Sequence, residues 1–217
     1  MTNYGWLVIL GIIVAGFAIA AIQQPVTEPE GIVEELWYDI SLCQVERPAW
    51  VIDRYSPRDS SSLSERGMDK TEYENESILI NWNMQPYGIS FSLRNKTDAP
   101  IRIIWEQAAL IGFEKKSASV THLDMPQKTA FDPLLPTVVA SCTHIEDKII
   151  PSRNIDWSSS GWRITDSWLP VKASGEELKS VRGVYCGKLF SILLPIEVEG
   201  IINDYVFTFR INAVGQL

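Results

Sequence analysis

Residues 78–93 read Ile78-Leu-Ile-Asn-Trp-Asn-Met-Gln-Pro-Tyr-Gly-Ile-Ser-Phe-Ser-Leu93. Two apolar-rich runs flank Pro86-Tyr87-Gly88, a turn signal, so the stretch predicts an antiparallel pair of strands. In the second run Ile89, Phe91 and Leu93 recur at every second position, which sets them on one buried face. The same alternation resumes downstream at Ile101, Ile103 and Trp105, then in Ser119–Leu123 and Thr137–Ser141. A hairpin is expected near the end: Leu189–Val198, a turn through Gly200–Asp204, and Tyr205–Ile211. Upstream, Leu36–Cys43 alternates enough to be a strand or an interfacial segment. Residues 54–76 are polar, contain Ser60-Ser61-Ser62, and read as a long loop. No stretch beyond residue 23 shows a long apolar period of 3.6. Short strands with regular turn signals predict an all-β domain over residues 36–217, a single β-sandwich of the immunoglobulin-like class.

The N-terminus reads differently. Tyr4–Ile22 carries 19 residues without a charge. As a helix it would span roughly 28 Å, close to the hydrocarbon thickness of a bilayer. Tyr4 and Trp6 suit the headgroup level at one end, and Gln23-Gln24-Pro25 stops the run at the other. Ala18-Ile19-Ala20 offers a cleavage-like pattern, but no basic residue precedes the run, so residues 1–23 are expected to stay as a transmembrane anchor helix. Gly11, Ala15 and Ala18 share a small-residue face suited to close helix packing. Residues 24–35 form an acidic linker with Glu28, Glu30, Glu34 and Glu35. That charge favours a short N-terminus inside and the domain outside, which in a bacterium means a single-pass inner-membrane protein with its bulk in the periplasm.

Composition narrows the function. The chain of 217 residues has 19 Lys+Arg against 27 Asp+Glu, a formal charge of −8, and no basic patch, which argues against nucleic acid as a partner. Two histidines and three cysteines leave little material for metal or acid–base chemistry. His122 and Asp124 lack a nucleophile-elbow context, so His122 reads as a polar residue at a strand end. Cys142-Thr-His144-Ile-Glu146 would put three ligating types on one strand face, yet such positions lie about 7 Å apart, too far for one ion. Cys43, Cys142 and Cys186 leave two readings open: one disulfide with one free thiol, or three buried thiols. Asn75-Glu-Ser77 and Asn95-Lys-Thr97 match the glycosylation acceptor pattern, relevant only to a eukaryotic secretory route.

Eight tryptophans are the most informative surplus. Trp82 and Trp105 fall on core positions of strands. Trp37, Trp50, Trp157, Trp162 and Trp168, with Arg163, fall in loop-rich or membrane-proximal segments and are the candidate partner-binding residues, since Trp and Arg are enriched at interface hot spots.

Phe91-Ser-Leu-Arg-Asn95, Ala99-Pro-Ile-Arg-Ile-Ile-Trp105, Val120-Thr-His122, Pro136-Thr-Val-Val139, Ile145-Glu-Asp-Lys-Ile-Ile-Pro151, Gly161-Trp-Arg163 and Leu169-Pro170 carry a resemblance. Over roughly residues 88–170 the chain resembles a family of bacterial envelope β-sandwich proteins, membrane-anchored or lipoprotein-like. The resemblance implies a sandwich in the envelope and no particular reaction. The expected function is that of a non-catalytic accessory or scaffolding subunit without a cofactor, anchored in the lipid bilayer and contacting integral membrane protein subunits. The alternative is a stand-alone membrane-tethered module that binds a ligand or client, which should show an apolar cleft.

Overall fold

The computed structural model describes residues 33–47, 59–61, 71–123, 134–158 and 161–217, with the backbone alone at 59–61 and 157–158. All belong to one unit, Ile32–Leu217. The expected anchor over 1–23, its face of Gly11, Ala15 and Ala18, and most of the linker over 24–35 lie outside the described residues. Among the described residues no helix is long and apolar enough to cross a membrane.

The strands are β1 (Glu34–Arg47), β2 (Asp59–Ser61), β3 (Glu72–Glu74), β4 (Ile78–Gln85), β5 (Gly88–Asn95), β6 (Ile101–Ile103), β7 (Ala109–Ile111) and β8 (Ser117–His122). They continue with β9 (Thr137–Val139), β10 (His144–Pro151), β11 (Ile155–Ser158), β12 (Gly161–Ile164), β13 (Lys172–Ala173), β14 (Leu189–Val198) and β15 (Ile201–Gln216). One α-helix, α1 (Gly175–Tyr185), stands among them. The domain is therefore all-β, as the alternation predicts. β2 and β3 fall within the stretch 54–76 read as a loop.

Thirteen strands form one antiparallel sheet in the order β13-β1-β15-β14-β7-β8-β10-β5-β4-β3, with β2 on β1 and the pair β6-β9 branching from β14. The sheet curls until strands near its two ends face each other. Trp82 on β4 meets Phe207 and Phe209 on β15 with ring centroids 5.0 and 5.7 Å apart. Tyr73 on β3 meets Phe207 at 5.6 Å. The alternation of β4, β5 and β15 thus builds a single core: Ile78, Ile80, Ile89, Leu93, Phe207, Phe209 and Ile211 are all fully buried.

Two local features shape the long ribbon. The β14–β15 turn is Glu199-Gly200, both at positive φ (51° and 81°), the two-residue geometry whose twist matches antiparallel strands. The turn is shorter than the expected Gly200–Asp204, because residues 201–204 already pair with 195–198. Along β1 and β15 the register slips twice, between Asp39 and Ile40 and between Leu42 and Gln44. Cys43 is the extra residue at the second slip, a bulge that increases local twist.

The helix adds to the strands that the alternation predicts, and it is compatible with the lack of a long apolar period of 3.6 beyond residue 23. Its apolar stripe is thin, with Leu178 its one buried residue. What forms it is a capping box. Ser174 Oγ accepts from Glu177 N, and Glu177 Oε2 accepts from Ser174 N at 2.8 Å. Both bonds satisfy amides that a helix start otherwise leaves open. The Ser174-x-x-Glu177 spacing was the signal in the sequence.

Candidate ligand-binding site

β14 organises two sites along one edge. β7 pairs with Ser191–Leu193 and β6 pairs with Ile196–Val198. Between them, Pro195 O accepts from Ile104 N at 3.0 Å. In an antiparallel ladder a residue's N–H and C=O point to the same side, so the N–H that proline lacks would face this junction, where no ladder partner needs it. The chain between β6 and β7 turns once through Trp105–Gln107 and drives Trp105 inward.

The first site is a sealed polar corner beneath that turn. Trp105 is 1% exposed and donates from Nε1 to Thr137 Oγ1 at 2.8 Å. His122 stacks on its indole with centroids 4.3 Å apart and planes 8° from parallel. His122 Nδ1 lies 2.7 Å from Asp147 Oδ2, and both side chains are almost wholly buried. The β8–β10 register places His122 opposite Ile149, one diagonal from Asp147. An imidazole with a carboxylate on one nitrogen is an oriented base in the chemical sense. Here its ring face is covered by Trp105. Asn95 closes the corner: its amide donates to the carbonyls of Ala99, Val139 and Ala140 at 2.8–3.1 Å, and its Oδ1 accepts from Thr97. Asn95 is fully buried, so its acceptor sequon offers no free amide.

The second site is open. The β7–β8 turn, the end of β10, the segment before β13, the end of α1 and the start of β14 surround a cleft of about 620 Å³. Its floor is aromatic. Phe113 lies 5.4 Å from Tyr185 and 5.9 Å from Phe190, edge to face in both cases. Trp168 packs edge to face on Phe190 at 4.9 Å and lies nearly parallel to Phe113, 6.4 Å away. Phe190 continues the stack inward to Phe209 at 5.3 Å, which roots the floor in the core. Trp168 is fixed from behind by its indole N–H, which donates to Gln85 O at 2.7 Å. Lys116, Arg153 and Lys188 stand at the rim with one acid, Glu114. Lys116 pairs with Glu114 at 2.6 Å. Arg153 donates from Nε to Asn154 Oδ1 at 3.3 Å, and neither it nor Lys188 has a carboxylate partner among the described residues.

The sequence-selected residues scatter around these sites. Trp168 lines the cleft. Trp162 and Trp157 are cross-strand partners in the separate β11–β12 hairpin, with Arg163 exposed beside them. Trp37 is 42% exposed and lies over Gly215, where an added Cβ would sit 2.4 Å from the indole; its Nε1 donates to Gln216 O at 3.1 Å. Trp50 and Asp124 lie outside the described residues. Phe113, Arg153, Tyr185 and Lys188 were not selected, and neither was Asp147. They come from distant segments, and only pairing brings them together.

The cysteines are free thiols: Cys142 and Cys186 are exposed, and Cys43 is half-buried. Burial pushes the Cys43 thiol upward against the opposing charge of Arg210, and its Sγ sits 3.3 Å from Thr208 O. Cys142 belongs to a turn at φ 57°, ahead of β10, so it does not share a strand face with His144 and Glu146. Among the described residues no cluster of three metal-ligating side chains occurs.

In comparison with known proteins, no protein family, no curated protein and no solved structure matches the chain.

Proposed function

We propose that this chain is a non-catalytic binding protein of the bacterial envelope. The uncharged run over residues 4–22 anchors it in the inner membrane, and an immunoglobulin-like sandwich holds the recognition site in the periplasm. The observation that carries the binding role is the open cleft floored by Phe113, Trp168, Tyr185 and Phe190. Phe113, Trp168 and Tyr185 are half-buried over the core ring of Phe190, and apolar rings with polar groups at the mouth are the usual composition of a ligand site. The acidic linker and the envelope-family resemblance of residues 88–170 support the compartment.

A second reading, the accessory subunit of a larger membrane assembly, is favoured by Trp37. It presents an exposed indole at the start of β1, the strand that follows the expected linker in the sequence. One experiment separates the readings. The full chain is extracted from native membranes in mild detergent and weighed by native mass spectrometry. The binding role predicts the chain with a small-molecule adduct that Phe113→Ser removes. A stoichiometric partner chain, lost when Gly11 and Ala15 are replaced by Leu, selects the subunit role. A bare chain overturns both.

A further inference from the structure

We propose that the cleft takes an amphipathic anion, a flat aromatic body carrying one carboxylate. This rests on the binding role above and names its ligand class.

The floor selects the body. Its rings already pack with one another in both aromatic modes: Tyr185 and Phe190 stand nearly perpendicular to Phe113, and Trp168 lies nearly parallel to it. Aromatic rings prefer offset-stacked or edge-to-face neighbours, so such a floor gains more from another aromatic ring than from an aliphatic chain of equal area. Trp168 and Phe190 are held by hydrogen bonding or core packing before any ligand arrives, which reduces the ordering cost of binding.

The rim selects the head. Three cations stand at the mouth of a chain whose formal charge is −8, and they come from three separate segments. The one acid among the described lining residues, Glu114, is engaged by Lys116. That leaves Arg153 and Lys188 with no carboxylate of the described protein to meet. The close of α1 does not oppose this, because its last carbonyls are partly satisfied: Cys186 N donates to Arg182 O and Lys188 N donates to Tyr185 O. A guanidinium and an ammonium beside an apolar floor match a carboxylate by charge-assisted hydrogen bonds. A cationic ligand would meet repulsion, and a neutral one would leave both cations unused.

The test uses the full chain in detergent with three probes of one shape, titrated by calorimetry against matched blanks. 2-Naphthoate is the anion, 2-naphthamide the neutral control and 2-naphthylmethylammonium the cation. Naphthoate is expected to bind about tenfold more tightly than the amide, a difference of about 1.4 kcal/mol. Arg153→Ala and Lys188→Ala should each weaken naphthoate by about fivefold to tenfold and leave the amide within about twofold. Lys188 is exposed, so its variant folds even if removing Arg153 disturbs the turn around Asn154. A tryptophan-ended peptide, compared with its C-terminal amide, tells whether the same chemistry is met by a polypeptide terminus rather than a free acid. If amide and naphthoate bind equally, or the cation binds best, the anion class is overturned while the cleft remains a binding site. If no probe binds, the class is overturned too, and the binding role then falls only if native extraction yields the bare chain.

Discussion

The corner around Trp105 and the cleft around Phe113 draw on the same kinds of side chain. Each sets an indole against a second ring and brings charged groups beside it. In the corner the groups satisfy one another: imidazole with carboxylate, indole N–H with hydroxyl, amide with three carbonyls. In the cleft the rings satisfy one another, and of the three cations at the mouth only Lys116 has a carboxylate partner among the described residues. A buried polar group without a partner costs folding free energy, so a sealed site must be complete in itself. A site at the surface is under no such demand, because water solvates its charges until a ligand replaces the water. Polar chemistry in the corner is thus spent on stability, and in the cleft it stays available for recognition.

The comparison breaks most visibly at Trp105. Replacing a 1% exposed tryptophan by alanine removes the ring that stacks on His122 and strands Thr137. Trp105→Ala should lower stability by about 3–5 kcal/mol, read from the midpoint of urea unfolding. Asp147→Ala comes next. It leaves the buried His122 Nδ1 without its hydrogen-bond partner and also removes the bond from Lys148 N to Asp147 Oδ1. The expected loss is about 2–3 kcal/mol, and a double-mutant cycle with His122→Ala should show strong coupling. Losses under about 0.5 kcal/mol for either variant would mean that the corner is not what holds β8, β9 and β10 together.

The two sites were unequally legible in the sequence. Alternation at Ile78–Leu93 and Leu189–Val198 located the strands, and it placed Trp82 and Trp105 in the core. It could not place Asp147 beside His122, because that contact depends on the β8–β10 register, which no local pattern encodes. The curl of the sheet is equally non-local, being the sum of strand twists and of bulges such as the one at Cys43. The cleft was visible only through Trp168, selected for sitting in a loop-rich segment. Phe113, Arg153, Tyr185 and Lys188 carry no shared spacing. Helix α1 is legible only through the cap spacing Ser174-x-x-Glu177, because its apolar stripe is too thin to give a period of 3.6.

That cap gives a smaller effect, and it acts on the cleft rather than the corner, since α1 carries Val184 and Tyr185 to the rim and floor. Ser174→Ala should cost about 1 kcal/mol, with a loss of helical signal in circular dichroism. A pH component accompanies it. Hydrogen bonding to the Ser174 backbone and side chain holds the Glu177 carboxyl below its usual range. A carboxyl lowered on folding stabilises above its unfolded value and loses that contribution as pH falls through its folded value. The wild type should therefore shed part of its cap on acidification below about pH 4.3. Glu177→Gln should flatten that part of the profile. An unchanged acid profile would show that the capping carboxylate adds nothing.

The smallest effect sharpens the comparison best. Lys188 is exposed, and its ammonium has no carboxylate partner among the described residues, whereas its backbone makes the turn bonds to Tyr185 and Ile211. Lys188→Ala keeps that backbone and removes the ammonium with its aliphatic stem. Surface substitutions away from caps and buried partners fall within about 0.5 kcal/mol, so the urea midpoint should hardly move. The same variant is expected to weaken naphthoate binding, so stability and recognition separate at one residue. No variant in the corner should behave this way: there, loss of a polar partner and loss of stability are one event. If Lys188→Ala instead destabilised the chain by 2 kcal/mol or more, roughly the cost of a buried unpaired group, the ammonium would be part of the fold. The contrast between a self-satisfied corner and an unsatisfied cleft would then fail at the residue chosen to show it.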